Sequence, residues 1–272
     1  MRSHILTLSL AASLALGSSG CIRKIMTDGQ IQAFRHASTA FDTIGDYELA
    51  RAAAQSGIVQ FEGMHALSPD NTDALFMLTK AWVGYGYAFV EDDLEAAEDA
   101  GNDDKADYER KRARMAYDRA VYYGVELLGQ TADGFQEAKK SEDALAKWTH
   151  DHFSTEEDAE DLFWTGYAWL SRAALMAGDD QEGPAFVAEL YVAIPLLKRA
   201  VEIDESVGRY TGLVALAAYH SRNNLAEADL GKKLFDEALA KTEHRDLVVQ
   251  MAYATKYACM KGDKALYTKL LN

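Results

Sequence analysis

The chain is short of the residues that most small-protein chemistry depends on. Proline occurs 3 times and cysteine twice in 272 residues. Two cysteines cannot make a disulfide framework or a four-thiolate zinc site. Basic residues are outnumbered, with 28 Lys and Arg against 43 Asp and Glu, so the net charge is −15. A surface of that sign repels phosphate, which excludes nucleic acid and electrostatic adhesion to anionic lipid. Long alternating runs of Val, Ile and Thr are missing, which argues against a sheet. The chain also lacks Gly-x-Ser-x-Gly, His-Glu-x-x-His, a Walker loop and Cys-x-x-Cys. Gly84-Tyr85-Gly86 has neither a third glycine nor a preceding strand, so it is no dinucleotide fingerprint. No nucleophile, base and orienting group are tied together by spacing, and no metal site or cofactor is expected.

What remains is rich in Ala, Leu, Glu and Lys, the residues of helices. The expectation is an all-α fold: a degenerate helical-hairpin solenoid over residues 30–272, a single domain with room for a substantial core. The stretch Ala74–Leu94 leads this reading. Leu75, Leu78, Trp82, Tyr85 and Phe89 recur at spacings of three and four, one face of a helix. We expect a single central rod of about 30 Å, ending in acid, with the other helices stacked around it. Glycine costs about 1 kcal/mol against alanine inside a helix. Its use at Gly84 and Gly86 predicts close approach by another helix or by a ligand.

Residues 1–20 read as a secretion signal. Arg2 precedes an apolar run too short to span a membrane, and Gly17-Ser18-Ser19-Gly20 then leads to Cys21. The end of this segment resembles a bacterial lipoprotein signal, departing from it at Ser18, where a branched aliphatic residue is usual. That resemblance implies lipidation of Cys21, removal of everything before it, and a short lipid-anchored linker over residues 21–29. Without its signal the chain carries about −16, since Arg2 is the only charged side chain removed. Several acyl chains anchor stably where one is marginal. Ile22 stands where an aspartate would resemble an inner-membrane retention signal, which favours the outer membrane, facing the periplasm.

Along the rest of the chain, Gln30–Ile44 has a helical pattern, Gly45-Asp46 is a turn, and Tyr47–Leu67 is a second helix. Asp70 or Asn71 is positioned to cap the third. This helix, Gly-Asp-Tyr, helix, Pro-Asp-Asn, helix order resembles a tetratricopeptide repeat, although 24 residues from Gly45 to Pro69 is about two turns long for one. Gly178-Asp179, Asn223-Asn224 and Gly262-Asp263 repeat the punctuation. Glu91–Glu109 holds ten acids and one lysine, followed by four basic residues within Arg110–Arg114. We read this as solvated helix with internal ion pairs. Ala113, Tyr117, Ala120, Gly124 and Leu127 form a stripe that packs back on the rod. Gly129–Phe153 is irregular. Ser154 with Glu157 opens a capping box for an aromatic helix carrying Trp164, Tyr167 and Trp169. Pro195 kinks or starts a helix within Ala185–Ile203. In Asn224–Leu239, Leu230, Leu234, Phe235 and Ala238 face inward. Cys259 is expected to be a small buried thiol.

Four stretches together resemble the T-component of tripartite ATP-independent periplasmic (TRAP) transporters. They are Cys21; Tyr85–Glu98 leading into Tyr117–Gly124; Phe163–Ala173 followed by a Pro-Leu-Leu-x-Arg-Ala run ending at Ala200; and Leu234–Leu239 with the Tyr257…Asp263…Leu270 ending. The resemblance implies an all-helical, tetratricopeptide-like periplasmic lipoprotein without catalytic residues. It implies a substrate-binding protein as partner and allows a trimer around a central pore. Trp82, Tyr85, Tyr87, Phe89, Trp164, Tyr167 and Trp169 are candidates for a ligand path or concave surface, or are plain core aromatics. An adaptor that assembles envelope proteins without a ligand is the alternative function, and an enzyme a third. A continuous aromatic-lined cavity would favour the transporter reading.

Overall fold

In the computed structural model, residues 24–178, 181–223 and 227–272 are described; the signal segment and Cys21 lie outside them. Among the described residues helices make up 82% and no strand occurs, so the fold is all-α. Residues 24–38 form α1, continued by a 3-10 turn at Thr39–Thr43. Residues 24–29, expected within a linker, are therefore helical. Then come α2 (Tyr47–Leu67), α3 (Thr72–Tyr85), a π segment (Gly86–Val90), α4 (Glu91–Asp99) and α5 (Asp103–Thr131). Two short helices, α6 (Phe135–Ala138) and α7 (Glu142–His152), fill the irregular region and lead to α8 (Glu156–Met176). The remainder is α9 (Gly183–Ala188), α10 (Leu190–Ile203), α11 (Thr211–His220), α12 (Ala228–Lys241), α13 (Leu247–Tyr253), a second π segment (Ala254–Ala258), α14 (Cys259–Lys261) and α15 (Lys264–Leu271).

Local chemistry accounts for the breaks. Asp46 accepts from the Leu49 amide to open α2, Asn71 from Ala74 to open α3, and Asn102 from Lys105 to open α5. Each satisfies an amide that has no partner inside the helix. The capping box on α8 is Thr155 with Asp158, one residue beyond the expected pair, because Asp158 also accepts from the Ser154 amide. Pro195 sits inside α10, and the break falls earlier, at Glu189. Leu230 turns outward on α12, whereas Phe235 and Ala238 are buried. Cys259 is exposed. It follows the π segment at Ala254–Ala258, whose buried side is Ala254, Tyr257 and Ala258, and the extra residue of a π turn shifts the phase of what comes after.

The rod at Ala74–Leu94 is not the centre of the fold. The helical path runs on from Thr72 to Asp99 through the π segment, beyond the expected acidic end. The central element is α8, which packs on α3, α5, α9, α10 and α11. A helix flanked on several sides needs apolar residues all round, and Leu162, Phe163, Ala168, Trp169 and Ala173 of α8 are all buried. Glycines admit its neighbours. A Cβ on Gly124 of α5 would lie 2.6 Å from Thr165 Oγ1, and one on Gly166 would lie 3.0 Å from Leu197 Cγ of α10. Elsewhere successive helices pair in solenoid-like fashion, α2 with α3, α4 with α5, and α11 with α12. The C-terminal helices share a smaller core of their own around Phe235, Val249 and Tyr253.

The first helix is bolted on. Ile31 is buried with Phe61, Leu75 and Leu78. Arg35 bonds Asp73 at 2.8 Å and Glu157 at 2.9 Å, and its guanidinium lies 4.0 Å from the centre of the Phe76 ring. Asp161 lies in the same region, 6% exposed, with Oδ1 unpartnered. Burial pushes its carboxyl up to about 8, against the attraction of Arg35. The folded chain thus holds this proton more tightly than the unfolded one, whose carboxyl titrates near 3.8. The contribution of Asp161 to stability is therefore lost as pH rises from about 4 to 8. Asp161→Asn should gain on the wild type across that window, by at most about 1.4 kcal/mol for each unit of pH. Urea midpoints at pH 5 and pH 8 check this; an equal difference at both would remove the titration as its cause.

Candidate functional site

A cavity of about 350 Å³ lies between α2, α3, the first π segment and the 3-10 turn, closed at one side by Trp164 of α8. Its walls follow from a sequence pattern. Helix α2 presents Ala50, Ala53, Ala54 and Gly57 to it, and the facing path presents Ala81, Gly84 and Ala88. Small residues at spacings of three and four on two facing helices usually let backbones touch. Here they leave room. A Cβ on Gly84 would meet nothing within 4 Å. Gly86, two residues on, serves the other purpose: its Cβ would lie 3.2 Å from the Tyr117 ring, so α5 packs directly on it.

Phe41, Ile44, Phe61, Met77, Tyr85, Phe89 and Trp164 supply the larger apolar surface. Among the described lining residues Lys80 alone carries a formal charge, and its Nζ stands 5.5 Å from the Trp164 ring centre. Outside the cavity a polar frame fixes the aromatics. Arg51 grips Asp93 through both nitrogens, at 2.7 and 3.0 Å, and lies over the Tyr47 and Phe89 rings. Arg112 donates to the Tyr85 hydroxyl at 2.6 Å. Asp93 is held below its ordinary range by the hydrogen bond from Arg51, which outweighs burial.

Of the seven candidate aromatics, Tyr85, Phe89 and Trp164 line this cavity. Trp82 backs it: its indole meets Tyr85 edge-on and donates to Glu62 at 3.0 Å. Burial alone would raise Glu62, but hydrogen bonds from Arg119, Tyr123 and Trp82 lower it. Tyr87 and Tyr167 form a separate pair, 6.3 Å between ring centres, with Tyr167 stacked on Phe163. Nearby, the Tyr117 hydroxyl donates to Glu91. Burial raises Glu91, while Tyr117 and the charge of Lys256 oppose the rise. Trp169 belongs to the main core, beside Phe135, with its indole donating to Glu189 at 2.9 Å. Helical spacing explains the division: residues two apart lie on opposite faces, so Tyr85 and Tyr87 serve different sites.

Sequence reasoning missed the wall on α2. Ala50, Ala53, Ala54 and Gly57 carry no chemical signal; only their spacing opposite Ala81, Gly84 and Ala88 could have marked a void. Among the described residues no three His, Cys, Asp or Glu are grouped to hold a metal ion, and no helix is long and apolar enough to cross a membrane. What the arrangement offers is a preformed apolar space with one cation at its edge.

The family model of the TRAP transporter T-component matches residues 44–272. Comparison with curated proteins returned no match.

Proposed function

The chain belongs to the T-component family of TRAP transporters, and from that premise we propose that it is a non-catalytic periplasmic lipoprotein, anchored through Cys21, that docks the transporter's substrate-binding protein and takes a small apolar ligand into the cavity beside α3. Membership itself carries an auxiliary transporter role and a place in the bacterial envelope. The cavity is the observation that supports the rest. A space of about 350 Å³ walled by alanine, glycine and aromatic side chains is maintained at the expense of packing. Filling it would recover dispersion contacts and apolar burial, so an empty space of this size is a feature a ligand would explain. An adaptor without a ligand has no use for it.

Gly84→Leu tests this directly. The new side chain enters open space, and leaving glycine for leucine in a helix gains about 0.8 kcal/mol of intrinsic stability. The variant should melt at or above the wild-type temperature. It should also bind the apolar dye N-phenyl-1-naphthylamine at least roughly tenfold more weakly, a loss of about 1.4 kcal/mol. Purified from its own envelope, it should still bring down the substrate-binding protein. Equal dye affinity in the two proteins would sink the cavity as the ligand site. Failure of both proteins to recover a substrate-binding protein would sink the docking role instead.

A further inference from the structure

We propose that the end of the molecule where α1 meets the α2–α3 turn lies against the bilayer, with Ile25, Met26 and Leu67 as its lipid-facing surface. The proposal rests on the lipidation of Cys21 and adds an orientation to it. These three side chains are 71%, 63% and 65% exposed, although each is large and apolar. A small polar clasp holds them together. Lys24 Nζ donates to Ser68 Oγ at 3.2 Å, Ser68 Oγ donates to Asp28 Oδ1 at 2.7 Å, and Asn71 Nδ2 donates to the same oxygen at 3.1 Å. Lys24 also pairs with Asp28 at 3.4 Å. The clasp ties the first described turn of α1 to the residues that follow Leu67.

Chain length names the occupant. Cys21 precedes Lys24 by three residues, which reach at most about 11 Å when fully extended. An acylated cysteine at the membrane surface therefore holds this patch within that distance of the headgroups. Slack further along is removed by Ile31 in the core and by Arg35 on Asp73 and Glu157. Apolar side chains entering the headgroup boundary add to lipid anchoring. The chain as a whole carries a net charge of −15 and is repelled by anionic lipid, so an apolar surface is what can approach the bilayer. One consequence concerns the cavity. Ser38, at the far end of α1, is one of its lining residues. At 1.5 Å per residue it stands about 20 Å along α1 from the membrane-facing end.

The test uses the full lipoprotein, its Cys21 modification read by intact mass, reconstituted in vesicles of phosphatidylethanolamine and phosphatidylglycerol. Nitroxide labels are placed through Met26→Cys, Leu67→Cys and, as reference on α13, Val248→Cys, all with Cys259→Ser. Helix α13 packs on α11, α12 and α15 and shares their core, whereas Ile31 of α1 lies in a separate one. Collision of each label with a water-soluble nickel complex is compared with the same label on soluble protein carrying Cys21→Ser. We expect a fall of at least roughly threefold at positions 26 and 67, as for groups in the headgroup boundary, and no change at 248. Equal access at all three positions with the lipid present would overturn the orientation and leave the anchor standing. Shielding at 248 alone would do the same. Absence of the lipid mass would overturn the anchor and the orientation with it.

Discussion

Gly124→Leu should lower the stability of the fold by about 3 kcal/mol or more. The position lies where α5 crosses α8. A Cβ there would stand 2.6 Å from Thr165 Oγ1, 2.8 Å from its Cγ2 and 3.0 Å from its Cβ. Thr165 cannot swing aside, because it is fully buried and its hydroxyl donates to the Asp161 carbonyl at 2.8 Å. Nor can α8 retreat, because its next residue, Gly166, is pressed against Leu196, Leu197 and the Ala193 carbonyl of α10. Leucine's better helix propensity returns only about 0.8 kcal/mol, so sterics decide the sign. For a chain of this size the melting temperature should fall by roughly 10 °C. The same substitution at Gly84 should be neutral or stabilising, so the pair separates glycines that admit a helix from glycines that leave a space. Melting of the two variants side by side gives the answer; matching losses would mean that the Gly84 wall is packed in solution.

The second large effect is expected at Phe235→Ala, a loss of about 3–5 kcal/mol. Phe235 is fully buried, and its ring stacks on Tyr253 at 4.8 Å with 6° between planes. The Tyr253 hydroxyl in turn donates to Asp236 at 2.7 Å. These residues, with Val249 and Ala238, form the C-terminal core, which is too small to absorb a lost ring by rearrangement. Urea unfolding followed by far-ultraviolet dichroism measures the change. A loss below about 1 kcal/mol would show that the C-terminal helices contribute little to the cooperative unit.

Much of this architecture could be read from residues before any coordinates. Tyr47–Leu67 has the same limits in sequence and structure, because Asp46 and the Ser68-Pro69 pair punctuate both ends. The stripe Ala113, Tyr117, Ala120, Gly124 and Leu127 is buried as its spacing predicts. The acidic stretch is helical and laced with ion pairs, Arg110 to Glu98 and Arg112 to Glu109 among them. Errors arose where a helix departs from 3.6 residues per turn. The π segment at Ala254–Ala258 breaks the phase on which facing is judged, and Cys259, expected inside, turns outward beyond it. Trp169 stayed open between cavity and core in the sequence, because an indole satisfied by Glu189 in the core and an indole beside a cavity have the same signature. The cavity itself was only half legible. Aromatic residues announce themselves, whereas a void is written in small residues on two segments that sequence does not align.

The π segment at Gly86–Val90 also limits how this stretch of chain can change length. The segment carries one residue more than a regular helix needs, so deletion of a single residue there would restore the α-helical turn and leave Glu91–Asp99 in place, whereas deletion of two would rotate it by about 100°. In the second case Asp93 would leave Arg51, and Glu91 would leave Tyr117, although no residue in either pair had been altered. Gly86–Val90 can therefore lose one residue but not two without breaking these pairs, while the neighbouring turn at Ala100–Asn102, solvent-exposed and left-handed at Gly101, is free to lengthen.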